Sequence, residues 1–237
     1  MEIIKQEVEG VQFYACTDPA WAGARHGFST RWGGVSPAPW DNLNLGATLG
    51  DDPENVRWNF NWFCSVIRTD DEALVKNRQV HGDLIRPVTE ADILPDPAQP
   101  GAAEADGLIT DRPGLCLTVF SGDCIPILFY DPSRRVIAAV HAGWRGTAAG
   151  IATTAVERMR DVYGCDPADI LAAVGPGIGP DCFETHEDVP NAMTAALSTA
   201  VLQHIKIKEN GKFSVDLKGI NAMRLEQAGL APDHIAV

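Results

Sequence analysis

Three residues far apart in the chain carry side chains that bind metals or attack electrophiles: His81 in NRQVHGD, Cys124 in SGDCIPILFYD and His141 in IAAVHAGWRG. Cys124 follows Asp123 at the head of one apolar run, and His141 ends another just before glycines. Two imidazoles and a thiolate are a catalytic zinc set that leaves the fourth position open for water or substrate. The same donors suit a blue copper ion, usually with a long axial methionine. A cysteine with a histidine base suits covalent catalysis, with Cys124 as nucleophile and His141 or His81 as base. No local ligand motif such as H-x-x-x-H joins the three. Spacing alone therefore leaves open an ordinary reading as well, in which each ends a strand and is satisfied by hydrogen bonds.

Other candidates stand close by. Gly143-Trp144-Arg145-Gly146 leads a strand through glycines into a helix start, where free backbone N–H groups and the positive dipole end favour an anion. Arg145 can add a bidentate clamp on phosphate. The plain alternative is a tight turn whose glycines satisfy backbone geometry, with Arg145 solvated. GPGIGPDCFE, a later glycine cluster, places Glu184 as an acid or base near the same edge, or simply shapes a turn. Arg31, in STRWGGVS, is a candidate contact for a polar substrate or a surface arginine.

These residues need elements to hold them. Asp52-Pro53-Glu54 is a helix start, and Val56, Phe60, Phe63 and Ile67 follow at helical spacing. Residues 74–86 read as extended, with a bulge or turn at His81-Gly82-Asp83. Four short apolar runs at 105–110, 115–120, 125–130 and 136–141 are separated by turn residues, including Arg112-Pro113-Gly114 and Asp131-Pro132-Ser133. A helix follows the 143–146 loop, with Ile151, Ala155, Met159 and Val162 on one face and Gly164 closing it. A buried strand at 170–174 and helical patterns at 189–203 and 217–227 complete the chain. Residues 17–50, rich in Gly, Pro, Trp and Asn, read as a long irregular segment of the kind that carries function. The expected class is α+β, a mixed sheet core with short antiparallel strands flanked by helices.

Composition narrows the partners. The 237 residues carry a net charge of −13, with 45% hydrophobic and 22% charged side chains. That balance argues against nucleic-acid or anionic-membrane binding. The N-terminal MEIIKQEVEG lacks a signal-peptide core, and charges interrupt the most apolar region, so a cytoplasmic protein is expected. Six cysteines without any C-x-x-C spacing read as reduced.

Taken together, QVHG, ADGLIT, GDCIPILFYD, AVHAGWRGT, GPGIGPDCFE and TRWGGVSP…NLNLG resemble the YfiH-like family. Its members have been labelled laccase-domain or multicopper polyphenol oxidase, peptidoglycan editing factor and purine nucleoside phosphorylase. The resemblance runs from about Phe28 onward and implies one catalytic domain over residues 1–237. It implies one zinc ion on His81, Cys124 and His141 beside a purine nucleoside pocket. It also implies phosphorolysis of adenosine, inosine, guanosine or methylthioadenosine, with some adenosine deamination. Asp123, Arg31, Gly143, Arg145, Gly146 and Glu184 are the further site candidates. Two features depart from the pattern. Ser121-Gly122 stand where Thr-Ala is more usual, and the family's cysteine-containing tail with its Ser-Tyr-Arg-Arg-type motif is not found. A copper oxidase and a cysteine-dependent amidase acting on a peptidoglycan precursor are the alternative enzymes. A binding module with a closed, purely structural metal site is the non-enzymatic one. Six dispersed histidines do not supply the His-rich clusters of a multicopper laccase.

Overall fold

The computed structural model describes residues 1–197 and 199–237. Strands β1 (Ile3–Val8) and β2 (Val11–Cys16) form a hairpin that adds the short β3 (Phe28–Ser29). Helix α1 (Pro53–Ile67) begins where expected, because the Asp52 side chain accepts from Glu54 N at 2.9 Å and Pro53 fills the first position. It buries Val56, Phe60, Phe63 and Cys64 and ends on Arg68, whose φ of 60° is left-handed.

The central sheet has the order β14-β10-β8-β9-β6-β5. Its members are β5 (Ile85–Pro87), β6 (Gly107–Thr110), β8 (Ile125–Asp131), β9 (Val136–Ala142), β10 (Leu171–Val174) and β14 (Ile235–Ala236). Pairing is antiparallel through the middle, and parallel only where β5 meets β6 and β14 meets β10. The β8–β9 hairpin closes on Asp131, whose side chain accepts from Ser133 N at 2.8 Å and Arg134 N at 2.9 Å. A separate parallel pair joins β4 (Leu74–Lys76) to β7 (Cys116–Thr118). A small antiparallel sheet holds β11 (Glu184–Thr185), β12 (Ile205–Ile207) and β13 (Phe213–Val215).

Period-two alternation explains the two layers. Ile125, Ile127 and Phe129 of β8, with Val136, Ala138 and Val140 of β9, turn to the helical face. There they meet α3 (Ile151–Tyr163) and α5 (Leu217–Gln227) in the largest core cluster, joined by α4 (Asp188–Leu197). Each such large side chain contributes roughly 1.5–3 kcal/mol by leaving water. The other face carries Leu128 and Tyr130 against Trp21 and Phe28 of the N-terminal segment. The class is α+β, as the sequence predicts.

Several boundaries differ from expectation. The stretch 74–86 is strand only at its ends, which pair in different sheets; the middle is the loop bearing His81. The helix after His141 is two helices, α2 (Trp144–Ala149) and α3, because Gly150 adopts a left-handed φ of 88° between them. Val162 is 42% exposed rather than part of the α3 core stripe. The pattern at 189–203 is α4 followed by a 3₁₀ turn at Thr199–His204. Among the described residues no helix is long and apolar enough to cross a membrane.

Candidate metal centre

His141 is the penultimate residue of β9, and Cys124 lies immediately before β8. The pairing of Pro126 with His141 therefore brings them to the same end of the hairpin. His81 arrives from the 77–84 loop with a left-handed φ of 61°, a costly backbone for a non-glycine residue that its surroundings must enforce. Asp106, fully buried at the head of β6, enforces it. Its carboxylate accepts three successive backbone N–H groups: Val80 at 3.1 Å, His81 at 2.9 Å and Gly82 at 2.7 Å. Gln79 adds a two-way clasp, its side chain accepting from Phe120 N and donating to Phe120 O, both at 2.7 Å. That clasp fixes the His81 loop against the chain leading to Cys124.

The same Asp106 orients the second imidazole. His141 Nδ1–H donates to Asp106 Oδ1 at 2.9 Å, and His141 N donates to Asp106 O at 2.7 Å. With Nδ1 occupied, Nε2 keeps a free lone pair for a ligand, the carboxylate–histidine arrangement that fixes tautomer and direction. Burial pushes His141 below its usual pKa, only partly offset by Asp106, so the ring is neutral and ready to coordinate. Burial pushes the Asp106 carboxyl up, but the bonds from His141 and from the Gly82, Val80 and His81 N–H groups outweigh it and hold it below the ordinary value. Cys124 is pushed up by burial and by the carboxylates of Asp123 and Asp106, so its thiolate needs a cation beside it.

The three donor atoms of His81, Cys124 and His141 lie within 4.8 Å of one another. The two imidazole rings stand edge to face, with centroids 4.9 Å apart. Gly143 closes in above them. A Cβ there would come within 2.9 Å of His81 Cδ2 and 3.2 Å of Cys124 Sγ. The absent side chain thus leaves the space a coordinated ion and its open position would need. One sulfur and two nitrogen donors, a carboxylate behind one ring and room in front fit a metal ion. No second group of this kind occurs among the described residues.

The other sequence candidates divide. Gly143 caps α2 without a side-chain cap bond, so the first N–H groups of that helix, including those of Trp144, Arg145 and Gly146, lack a capping side chain. Arg145 is exposed, stacked over the Trp144 ring at 4.3 Å, and forms no ion pair among the described residues. Asp123 is exposed beside Cys124 and lines a cleft of about 1400 Å³ that covers the sheet face of Ile137 and Ala139. Arg31 lines that cleft too, its Nε donating to Asp41 O at 2.7 Å. The three donor side chains lie outside the cleft wall, which reaches them through Gln79, Gly122 and Asp123. Glu184 stands apart, paired with Lys208 at 3.1 Å and Lys212 at 2.8 Å on the small sheet. Those lysines hold its carboxyl near 2, which leaves it no proton to give. Asp106 and Gln79 are the positioning residues that spacing missed; the signal was an acidic residue heading an apolar strand in ADGLIT.

A buried His–Asp pair behind a two-histidine, one-cysteine corner at one end of the central β8–β9 hairpin defines a candidate metal site on an α+β fold. A family model described as multi-copper polyphenol oxidoreductase laccase matches residues 25–237, and the chain belongs to that family. Among its relatives, purine nucleoside phosphorylase YlmD of Geobacillus stearothermophilus is 36% identical over 239 residues, covering 100% of this chain and 86% of the relative. Purine nucleoside phosphorylase YfiH of Escherichia coli is 35% identical over 206 residues, covering 85% and 77%. The crystal structure of the Geobacillus YlmD superposes with a TM-score of 0.92 at 35% identity, over 100% of this chain and 88% of that one. A Bacillus licheniformis YfiH structure gives 0.89 at 32% identity, over 98% and 87%.

Proposed function

We propose that the protein is a cytoplasmic, zinc-dependent purine nucleoside phosphorylase. It would convert adenosine, inosine, guanosine or methylthioadenosine and phosphate to free base and ribose 1-phosphate, with adenosine deamination as a side activity. The convergence of His81, Cys124 and His141 beneath Gly143 carries this reading, and the names of its relatives supply the reaction class. A zinc ion held there would supply Lewis-acid polarisation of a substrate oxygen and, for deamination, a water of lowered pKa.

The chain's own residues do the rest. Phosphate is held by the uncapped N–H groups at the start of α2, with Arg145 swinging from the Trp144 ring as a clamp. One phosphate oxygen attacks the anomeric carbon of the ribose as its bond to the purine nitrogen breaks. The leaving purine needs a proton, and Asp123, lining the cleft beside Cys124, is the candidate to relay one from solvent, whereas Glu184 is tied to two lysines outside the cleft lining. Arg31, which lines the cleft, would contact the nucleoside. Asp106 keeps His141 aimed throughout, while burial keeps the ring neutral.

Two other activities share the donor set. Copper fits one sulfur and two nitrogens, but oxygen reduction by a multicopper enzyme needs further histidine clusters, and the described residues form no second such group. A free thiol nucleophile at Cys124 is disfavoured by the neighbours that raise its pKa. The test is incubation of metal-replete protein with adenosine and with inosine, with and without phosphate. Phosphate-dependent release of base and ribose 1-phosphate is expected. Turnover that ignores phosphate, or stoichiometric alkylation of a metal-free protein at Cys124, would overturn the reading.

A further inference from the structure

A second pair of nucleophilic side chains lies away from the metal corner. Cys64, on the last turn of α1, and Cys116, at the start of β7, pack into one small core cluster with Phe60, Leu74 and Phe120. Cys116 pairs with Leu74 across the β4–β7 ladder. Alternation puts Thr118 on the same face. Cys64 and the hydroxyl-bearing Thr69 and Thr118 are the neighbours that act on the Cys116 thiol. They hold the Cys116 thiol below its ordinary value against burial and the Asp70 charge, while the Cys64 thiol is pushed up. Cys64, Thr69, Cys116 and Thr118 all line the cleft. Cys165, by contrast, is buried against Asp131 and pushed up to about 12. Neither Cys64 nor Cys116 takes part in the proposed phosphorolysis.

We propose that Cys64 and Cys116 are a second reactive site, a dithiol that hydrogen peroxide entering the cleft converts to a reversible disulfide. The Cys116 thiolate attacks one peroxide oxygen, the O–O bond breaks, and hydroxide leaves to become water with a solvent proton. Cys116 is then a sulfenic acid. The Cys64 sulfur attacks the Cys116 sulfur; the S–S bond forms, the S–O bond breaks, and the departing oxygen takes the Cys64 proton and leaves as water. Two electrons pass from the thiols to the peroxide. A small thiol reverses the bond by exchange and is itself oxidised. While it lasts, the bond ties the end of α1 to β7 across the cleft wall.

The test is peptide mapping of the folded, zinc-loaded protein after equimolar peroxide and denaturing alkylation. One linked peptide pair through Cys64 and Cys116 is expected, lighter by two hydrogens and abolished by a thiol reductant, with Cys165 still fully alkylated. Its formation should precede any oxidation of Cys182, because a sulfenic acid at Cys116 has Cys64 in the same cluster to resolve it. Cys64→Ser should give no link and leave Cys116 as a dimedone-trapped sulfenic acid. Should that variant misfold, the wild-type chain decides: a link that forms faster in the native than in the urea-unfolded protein supports the site. Persistence of both thiols at doses that oxidise Cys182, or linkage only after unfolding, would overturn the proposal.

Discussion

Asp106 and Glu184 are both carboxylates near glycine-containing turns, yet they do opposite things. Asp106 is fully buried, and every contact it makes is directed: three backbone N–H groups of the His81 loop and the Nδ1 of His141. Glu184 is exposed on a peripheral sheet, ion-paired with Lys208 and Lys212 and hydrogen-bonded by Asn210. A buried charge is tolerated only when fully bonded, and that requirement is what makes it a positioning device. A surface charge with mobile lysine partners fixes little. The part of the molecule that can do chemistry is the part where losing one bond strands another group.

What sets Asp106 apart from Glu184 depends on the corner it serves holding a metal. The largest effect is therefore expected from Cys124→Ala or His81→Ala. Elemental analysis should fall from one metal per chain to none, and phosphorolysis should vanish with it; retained stoichiometric metal would remove the basis for the site. Gly143→Ala comes next, because its methyl group would enter within 2.9 Å of His81 and 3.2 Å of Cys124. A displacement of reacting groups on that scale costs on the order of a hundredfold in turnover, with the melting temperature little changed.

Asp106→Asn removes the directed carboxylate itself. The amide cannot accept at both oxygens, so either the Val80 and Gly82 N–H groups or the His81 N–H and His141 Nδ1–H meet a second donor. Metal affinity should weaken by roughly 10–100-fold, measured by chelator competition, and stability should fall by about 1–3 kcal/mol. The pH dependence has a definite sign. The Asp106 pKa lies below its unfolded value, so its stabilisation is present in full above about pH 4 and is lost as pH falls through the folded value. Acid unfolding of the metal-free variant should lack that component. An unchanged acid profile would assign the stabilisation elsewhere.

Much of this was legible from the chain alone, for reasons tied to particular residues. Asp52-Pro53 announces α1, and the Asp131-Pro132-Ser133 turn announces the β8–β9 hairpin that brings Cys124 and His141 to one end. Local signals of that kind survive tertiary packing. The N-terminal hairpin was missed, since its turn is Glu9-Gly10, both with positive φ, and Glu is not a residue that advertises such a turn. Asp106 was missed because an acid at a strand head reads as a boundary; only the closure of the His81 loop over it reveals its role. Glu184 was drawn toward the site by the glycines before it. The lysines that occupy it come from β12–β13, a small sheet that the sequence pattern did not disclose.

The smallest effect is expected from Glu184→Gln. If Glu184 is only a surface carboxylate between two lysines, the amide still accepts one hydrogen bond from Lys208 or Lys212. Turnover should then change by less than about twofold, with metal content unaltered, as for other exposed ion pairs. Any small loss of thermal stability should vanish at high salt, where the wild-type pairs are screened as well. A large loss of turnover with metal still bound would return Glu184 to the reaction as a residue acting from outside the metal corner. It would also place the lysine pair, rather than Asp123, at the centre of the question of how the purine leaves. The same assay on Asp123→Asn separates the two: the donor proposed here should cost on the order of a hundredfold when removed, and Glu184 should cost almost nothing.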